Sequence, residues 1–316
     1  MFVYGPVPSR RLGLSLGIDP VYYTCTFNCI YCQLGRTRYL LNSPKEIPKE
    51  VLEKFPTDED IYREVKKIVS ENPNIDYITF AGSGEPTLSP YLKESIERLK
   101  EFNIPICVIT NSSLMNYKSV RDALKNADLV SATLTSTNQE MFEKIHRTKI
   151  KLKDVIRGLI KFRREADETI LNIELMVLEG INDDDETIYK LKEIFNKINP
   201  ENIEINTPIR PPCEKYAKKV KYERLKEIKE ILGEKAFIIC KKSPKKYKES
   251  LNSNILERIS SILKIRPCTV EDLSNALGLH ISEVGKYLYA LKNSENLEYI
   301  EIYGKKYYFI KVIKWI

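Results

Sequence analysis

The sequence predicts an α/β fold in which six strand-then-helix units precede a smaller unit of helices and a hairpin. Three observations carry this. Short runs rich in Ile, Val and Leu end repeatedly in Gly, Asn, Ser or Thr, and amphipathic segments with apolar residues three and four apart lie between them. The chain has 316 residues, 42% hydrophobic and 30% charged, enough for one large core and one small one. A charged, Pro-broken stretch, Lys241–Lys248, then separates the alternating region from a tail of different character. The expected division is a core domain over 1–240, a basic linker over 241–250 and a C-terminal domain over 251–316.

Composition narrows the function classes. No apolar run approaches the roughly 18–20 residues needed to cross a bilayer, so no membrane partner is expected. Met1-Phe2-Val3-Tyr4-Gly5-Pro6 has neither the basic start nor the apolar middle of a signal peptide. Seven cysteines, three of them clustered, argue against a secreted disulfide scaffold. A cytoplasmic location is therefore expected. The net charge of +7 is local: Arg210–Ser250 holds 14 Lys/Arg against 6 Asp/Glu. Such a stretch suits a polyanion footprint or a solvated helix and linker.

In chain order, Gly5–Gly13 reads as a turn-rich entry containing Arg10-Arg11, placed either to contact a substrate or phosphate or to make surface ion pairs. The alternating run Leu14–Ile18 reads as the first strand. Directly after it, Tyr23–Gln33 places Cys25, Cys29 and Cys32 at C-x3-C-x2-C. Three thiolates this close can wrap one side of a cubane cluster. A [4Fe–4S] cluster normally takes four cysteines, and the next one, Cys107, is far down the chain. An open metal position is how a metal site takes part in chemistry. The alternatives are a zinc loop, which usually needs four Cys/His ligands, or buried structural thiols. Only two histidines exist, His146 and His280, in unrelated sequence contexts.

A helix capped by Thr57 begins at Asp58, with Ile61, Val65, Ile68 and Val69 on one face. The strand Ile75–Ala81 ends in Gly82-Ser83-Gly84-Glu85-Pro86, where glycine allows close backbone approach to a ligand. A helix over Pro90–Phe102 and the strand Ile106–Thr110 lead to Asn111-Ser112-Ser113, with Cys107 as a buried hydrophobe. Helix Lys118–Lys125 and strand Leu129–Leu134 lead to Thr135-Ser136. Helices Gln139–His146 and Lys153–Glu165 precede the strand Ile170–Val177. A helix to Ile198 follows, capped by Asn182 or Asp183. The strand Ile203–Asn206 opens into Thr207-Pro208-Ile209-Arg210-Pro211-Pro212-Cys213, and helix Tyr222–Leu232 with strand Ala236–Cys240 closes the region.

The cysteine loop, with Tyr31 just before its last cysteine, resembles the signature loop of the radical S-adenosylmethionine (SAM) superfamily. Gly84-Glu85-Pro86 resembles that family's GGE turn, widened here by Ser83. The six units resemble its partial (β/α)6 TIM-like barrel. Val7–Gly13 together with Asn206–Pro212 resembles one branch, distantly related to the tRNA wybutosine-synthesis enzyme. The resemblance spans roughly Val3–Cys240. It implies an iron–sulfur oxidoreductase-like enzyme with a [4Fe–4S] cluster on Cys25, Cys29 and Cys32 and SAM on the open iron. Reductive cleavage then yields a 5′-deoxyadenosyl radical that takes hydrogen from a substrate. Tyr31, Gly84, Glu85, Asn111, Thr135 and Asn206 are the implied SAM-binding residues, with Thr135 where many relatives carry an acid. Cys213, beyond the sixth strand, is the candidate to return a hydrogen atom. The implied reductant is a ferredoxin or flavodoxin.

After the linker, Ile255, Ile259, Ile262 and Leu263 mark a helix that ends before Pro267, and Thr269 with Asp272 starts a second that ends before Gly278. Ser282 starts a third. Strands Leu297–Tyr303 and Lys306–Ile310, joined at Gly304-Lys305, read as a hairpin. Together these resemble a winged helix, a fold used by DNA readers and by protein-docking modules alike. Its 9 basic and 7 acidic residues give little polyanion bias. RNA, then a peptide, is the expected macromolecular substrate. The rival class is an iron- or redox-sensing winged-helix transcription regulator, which leaves the Gly-Ser-Gly-Glu-Pro turn and six β/α units without a purpose. A zinc-stabilised nucleic-acid binder is the third reading, and metal analysis separates it.

Overall fold

The computed structural model describes residues 1–72, 74–239, 255–294 and 296–311. Strand β1 (Val3–Ser9) turns back into β2 (Gly13–Ile18). A small parallel bridge, β3 (Thr24–Cys25) with β4 (Tyr39–Leu40), brackets the cysteine loop. Then α1 (Lys49–Leu52), α2 (Asp58–Glu71), β5 (Tyr77–Phe80), α3 (Leu92–Leu99), β6 (Ile106–Thr110), α4 (Lys118–Leu124) and β7 (Leu129–Thr133) follow. The alternation continues through α5 (Gln139–His146), α6 (Leu152–Glu165), β8 (Ile170–Met176), α7 (Asp185–Ile198), β9 (Asn202–Asn206), α8 (Tyr222–Leu232) and β10 (Ala236–Ile238). The C-terminal unit comprises α9 (Ile255–Ile265), α10 (Val270–Leu277), α11 (Ile281–Ser294) and the hairpin β11 (Leu297–Ile302) with β12 (Lys305–Ile310).

The main sheet runs β1-β2-β5-β6-β7-β8-β9-β10, parallel throughout except for β1 against β2. A partial β/α barrel results, with the expected six units. Parallel strands are covered on both faces, which is why β6 and β7 are almost continuously buried. Amphipathic α2 is set by a capping box in which Thr57 accepts from Asp60 N.

The segment expected as turns is instead strand β1. Gly5, Pro6 and Pro8 read as breakers, but an edge strand tolerates proline on its unpaired side, and the ladder shifts register between Tyr4 and Val7. The β1–β2 turn plugs the barrel's N-terminal end, where Leu12 packs with Tyr77, Cys107 and Leu129. Arg11 reaches from the same turn to Glu204 (2.6 Å), Glu174 (2.8 Å) and the Ser131 hydroxyl (2.8 Å), tying β7, β8 and β9 together.

Most element ends shift by a residue or two, and three of the differences concern caps and turns. The cap of α7 is Asp184, which accepts from Thr187 N. Asn182 is engaged with Leu178 N, Met176 O and Thr135 O, and Asp183 with Gly180 N. The hairpin turns at Tyr303-Gly304, both at positive φ, instead of at Gly304-Lys305. The third C-terminal helix begins at Ile281, one residue before Ser282.

The C-terminal unit packs on the barrel's edge. Val7 of β1 joins Ile259, Leu263, Leu273, Val284 and Ile310 in one core. Tyr23 and Tyr307 donate hydroxyl hydrogen bonds to Lys264 O (3.4 Å) and Ile209 O (3.0 Å) across the junction. The expected linker over 241–250, Cys240, and the two ends of the expected C-terminal domain lie outside the described residues. Among the described residues no helix is long and apolar enough to cross a membrane.

Candidate active site

The cysteine loop lies beyond the C-terminal end of β2, where α/β folds place their ligands. Its backbone is held from several sides. Asn28 N donates to His146 O (2.8 Å) and Ile30 N to Ile145 O (3.0 Å), pinning it on the end of α5. Thr37 donates through its hydroxyl to Phe27 O (2.6 Å) and through its amide to Asn28 Oδ1 (3.0 Å). Thr148 donates to Thr26 O (2.9 Å).

The turn after β5 presses against the same loop. Glu85 N donates to Thr24 O (2.9 Å), and a Cβ on Gly84 would lie 1.9 Å from that oxygen, so only glycine fits. Ser83, between the two glycines of the turn, is used too. Its hydroxyl donates to Val21 O (3.0 Å) and accepts from Tyr23 N (2.9 Å), while Ser83 N donates to Asp19 Oδ1 (2.9 Å). Burial pushes the Asp19 carboxyl up to about 7.

Glu85 is buried, and its carboxylate is occupied. Oε1 accepts from the Thr110 and Thr87 hydroxyls (2.6 Å each), and Oε2 from Asn111 N (2.7 Å). It clamps the β5 turn to the end of β6. Burial raises its pKa, opposed by these hydrogen bonds. Asn111 in turn donates to the Thr26 hydroxyl (2.8 Å) and approaches Cys25 Sγ (3.5 Å).

Cys25, Cys29 and Cys32 are half-buried and free of disulfides. Burial pushes the Cys25 thiol up to about 12, with the Glu85 charge adding to it, and burial likewise raises Cys29 and Cys32. A coordinated metal reverses this, because its charge deprotonates a ligating thiol. Among the described residues no three His, Cys, Asp or Glu side chains stand together as a metal-binding group. The donor set, three soft thiols on one braced loop, nevertheless suits an iron–sulfur ligand set.

His146, unrelated to the loop in sequence, is its neighbour in space. Its Nδ1 stands 3.2 Å from Cys29 Sγ and its Nε2 2.8 Å from the Thr135 hydroxyl. Toward a Cys29 thiolate, Nδ1 must carry the ring proton, and Nε2 then accepts from Thr135. Burial pulls the His146 pKa down to about 3, so the ring is neutral. Thr135 is fully buried here and braces the ring from behind. Sequence spacing carries no signal for this contact, which α5 creates.

A cavity of about 370 Å³ opens beside the loop, lined by Tyr31, Cys32, Gly84, Asn206 and, from the C-terminal unit, Arg266 among others. Asn206 bridges Glu174 Oε1 (2.7 Å) and Arg10 (3.1 Å). Burial pushes the Glu174 carboxyl up, but the charge and hydrogen bond of Arg11 bring the net direction down. Cys213 is half-buried near the cysteine loop and is not among the cavity-lining residues. Burial, then the nearby Glu214 carboxylate, raises its thiol to about 11.

A sequence profile described as "Radical SAM superfamily" matches residues 20–191. A UPF0026 protein of Methanocaldococcus jannaschii is 35% identical over 317 residues, covering 96% of this chain and 94% of that protein. A UPF0026 protein of Synechocystis sp. is 36% identical over 214 residues, 66% of this chain and 76% of its own. Among solved structures, Streptococcus suis SuiB bound to precursor peptide SuiA superposes with a TM-score of 0.53 at 15% identity. That match covers 68% of this chain and 45% of SuiB, and shows a shared fold.

Proposed function

This chain belongs to the radical SAM superfamily, and on that premise we propose that Cys25, Cys29 and Cys32 are the protein ligands of its [4Fe–4S] cluster and that the adjoining cavity is its substrate chamber. The superfamily uses a [4Fe–4S] cluster and SAM, and the chain is a radical SAM enzyme. When bound, the two supply a 5′-deoxyadenosyl radical that takes hydrogen from a substrate. The observation that carries the assignment is the stitching of the Gly84-Glu85 turn onto Thr24, beside Cys25.

The chain's own residues bind, orient and exclude water. Gly84 and the buried Glu85 clamp hold the cysteine loop against the sheet. Tyr31 offers a ring face to the adenine, and Asn206 a polar edge. Asn111 and Thr135 serve SAM through the loop contacts they brace. The Leu12 plug and the Arg11 ion pairs close the N-terminal end of the barrel to water. Hydrogen return is assigned to Cys213, and normal turnover by Cys213→Ala would remove that role.

The three C-terminal helices and hairpin are read as a winged helix that docks a macromolecular substrate, RNA in first place. Basic residues from Arg210 onward and the exposed rings of Tyr289 and Tyr299 support this. RNA binding through several phosphates would fall steeply with salt, with a log–log slope of about −0.7 per contact. A peptide paired on the hairpin edge would show little salt dependence. A ferredoxin or flavodoxin is the proposed electron donor.

The test of the ligand set is iron and sulfide content after anaerobic reconstitution. Cys25→Ala, Cys29→Ala and Cys32→Ala should each lose most of the cluster absorbance, whereas Cys107→Ala, altering a core thiol on β6, should keep it. A Cys29→Ala chain with a full complement of iron and sulfide would refute the assignment.

A further inference from the structure

The cavity is electrostatically unbalanced. Its lining contains four arginines, Arg10, Arg11, Arg210 and Arg266, against one carboxylate, Glu174. Two of the four are accounted for by contacts already described: Arg11 is matched by Glu174 and Glu204, and Arg10 bonds to Asn206. Arg210 and Arg266 differ. The Nε atoms of both are buried and have no hydrogen-bond partner. Neither guanidinium forms an ion pair with a carboxylate among the described residues. The Arg266 side chain lies beside the Cys268 thiol and near Tyr4, and Asp272, whose charge both arginines feel, is engaged in the α10 capping box. Burial, then the like charge of Arg266, push the Arg210 guanidinium below its usual range.

A buried guanidinium whose Nε has no acceptor is costly, and so are two within reach of each other. An orphaned buried donor in a folded protein asks for the group that satisfies it. The two arginines come from different parts of the chain. Arg210 lies on the segment after β9, and Arg266 follows α9 in the C-terminal unit. They therefore converge only because that unit packs on β1. A second cavity of about 310 Å³ at the same junction shares Ile209 and Arg210 with the first, and adds Lys219 and Lys305 against one carboxylate, Asp272. Two planar forks approaching from two elements match a ligand with two negative charges and several acceptor oxygens. A carboxylate supplies one charge and two oxygens, whereas a phosphate monoester supplies two charges and three oxygens.

We infer that Arg210 and Arg266 form an anion pocket that takes a phosphate monoester of the substrate, seated between the barrel and the C-terminal unit. This rests on the cavity being the substrate chamber, and it specifies the substrate class: a molecule carrying a phosphate monoester, which on RNA is a terminal phosphate, with the reacting carbon toward Tyr31 and Cys32. It also gives the C-terminal unit a direct part in the pocket, since it supplies one of the two arginines.

The test is calorimetric titration of inorganic phosphate into the full chain, without cluster and without SAM, with sodium acetate as a parallel arm. The wild type should show one saturable phosphate site and weaker acetate binding. Arg210→Gln and Arg266→Gln should each weaken phosphate at least about tenfold, the loss expected for one charge-assisted bidentate contact. Arg224→Gln, which removes a surface ion pair with Asp185 and Glu227, should leave it unchanged. If a Gln variant fails to fold, Arg210→Lys and Arg266→Lys keep the charge, lose the fork, and should weaken binding to a smaller extent. Absence of a saturable wild-type site, tighter binding of acetate than of phosphate, or wild-type affinity in both Gln variants would overturn the inference. A chain that binds phosphate but never cleaves SAM would fail the chamber reading alone. One that cleaves SAM but ignores phosphate would fail this inference alone.

Discussion

Arg11 is the residue on which three strands depend. Replacing it with Met would leave Glu174 and Glu204 buried without a countercharge, and breaking such a network typically costs about 3–5 kcal/mol. Urea unfolding of Arg11→Met should show that loss, and adding Glu174→Gln and Glu204→Gln should recover much of it. Asp19 makes a pH-dependent contribution instead. Its folded pKa is about 7 against 3.8 for an unburied carboxyl, so the folded state holds the proton more tightly. That stability is fully present below the unfolded value and is lost as pH rises through the folded one. Against Asp19→Asn, the wild type should therefore lose urea resistance between about pH 4 and about pH 8. A flat difference across that range would contradict the burial account. At this scale the sequence was readable where chemistry is local: three cysteines within eight residues declare themselves. His146, Arg210 and Arg266 do not, because their roles arise from packing between segments over a hundred residues from the loop they serve or from one unit meeting another.

Among elements, the parallel strands were legible because two-sided burial writes continuous Ile/Val/Leu runs, and the helices because their apolar stripes repeat at helical spacing. Strand β1 was hidden by Gly5, Pro6 and Pro8, residues that only an edge position with a register shift tolerates. The β5 turn offers the sharpest element-level test. Gly84→Ala would drive a methyl into Thr24 O, a backbone atom that cannot yield without moving β3. The variant should lose several kcal/mol of stability, as steric insertions at closed positions do, or keep its fold with the cysteine loop displaced and cluster uptake impaired. Native stability together with full iron content in Gly84→Ala would show that the turn does not brace the loop.

For the whole molecule, the sequence predicted two units but not their union. Val7 belongs to the C-terminal unit's core although it lies in the barrel's first strand, a contact no local pattern announces. Removing residues 251–316 would expose Val7, take away Arg266 and open one wall of the cavity, so the truncated chain should melt earlier and handle substrate poorly even if its cysteine loop assembles. The role assigned to the cysteine loop, holding the cluster that cleaves SAM, has a direct readout. Anaerobically reconstituted full-length protein, incubated with SAM and dithionite, should release 5′-deoxyadenosine and methionine in equal amounts, and the Cys29→Ala variant should release neither. Equal release from both proteins, or none from a wild-type chain carrying its full iron and sulfide, would contradict it.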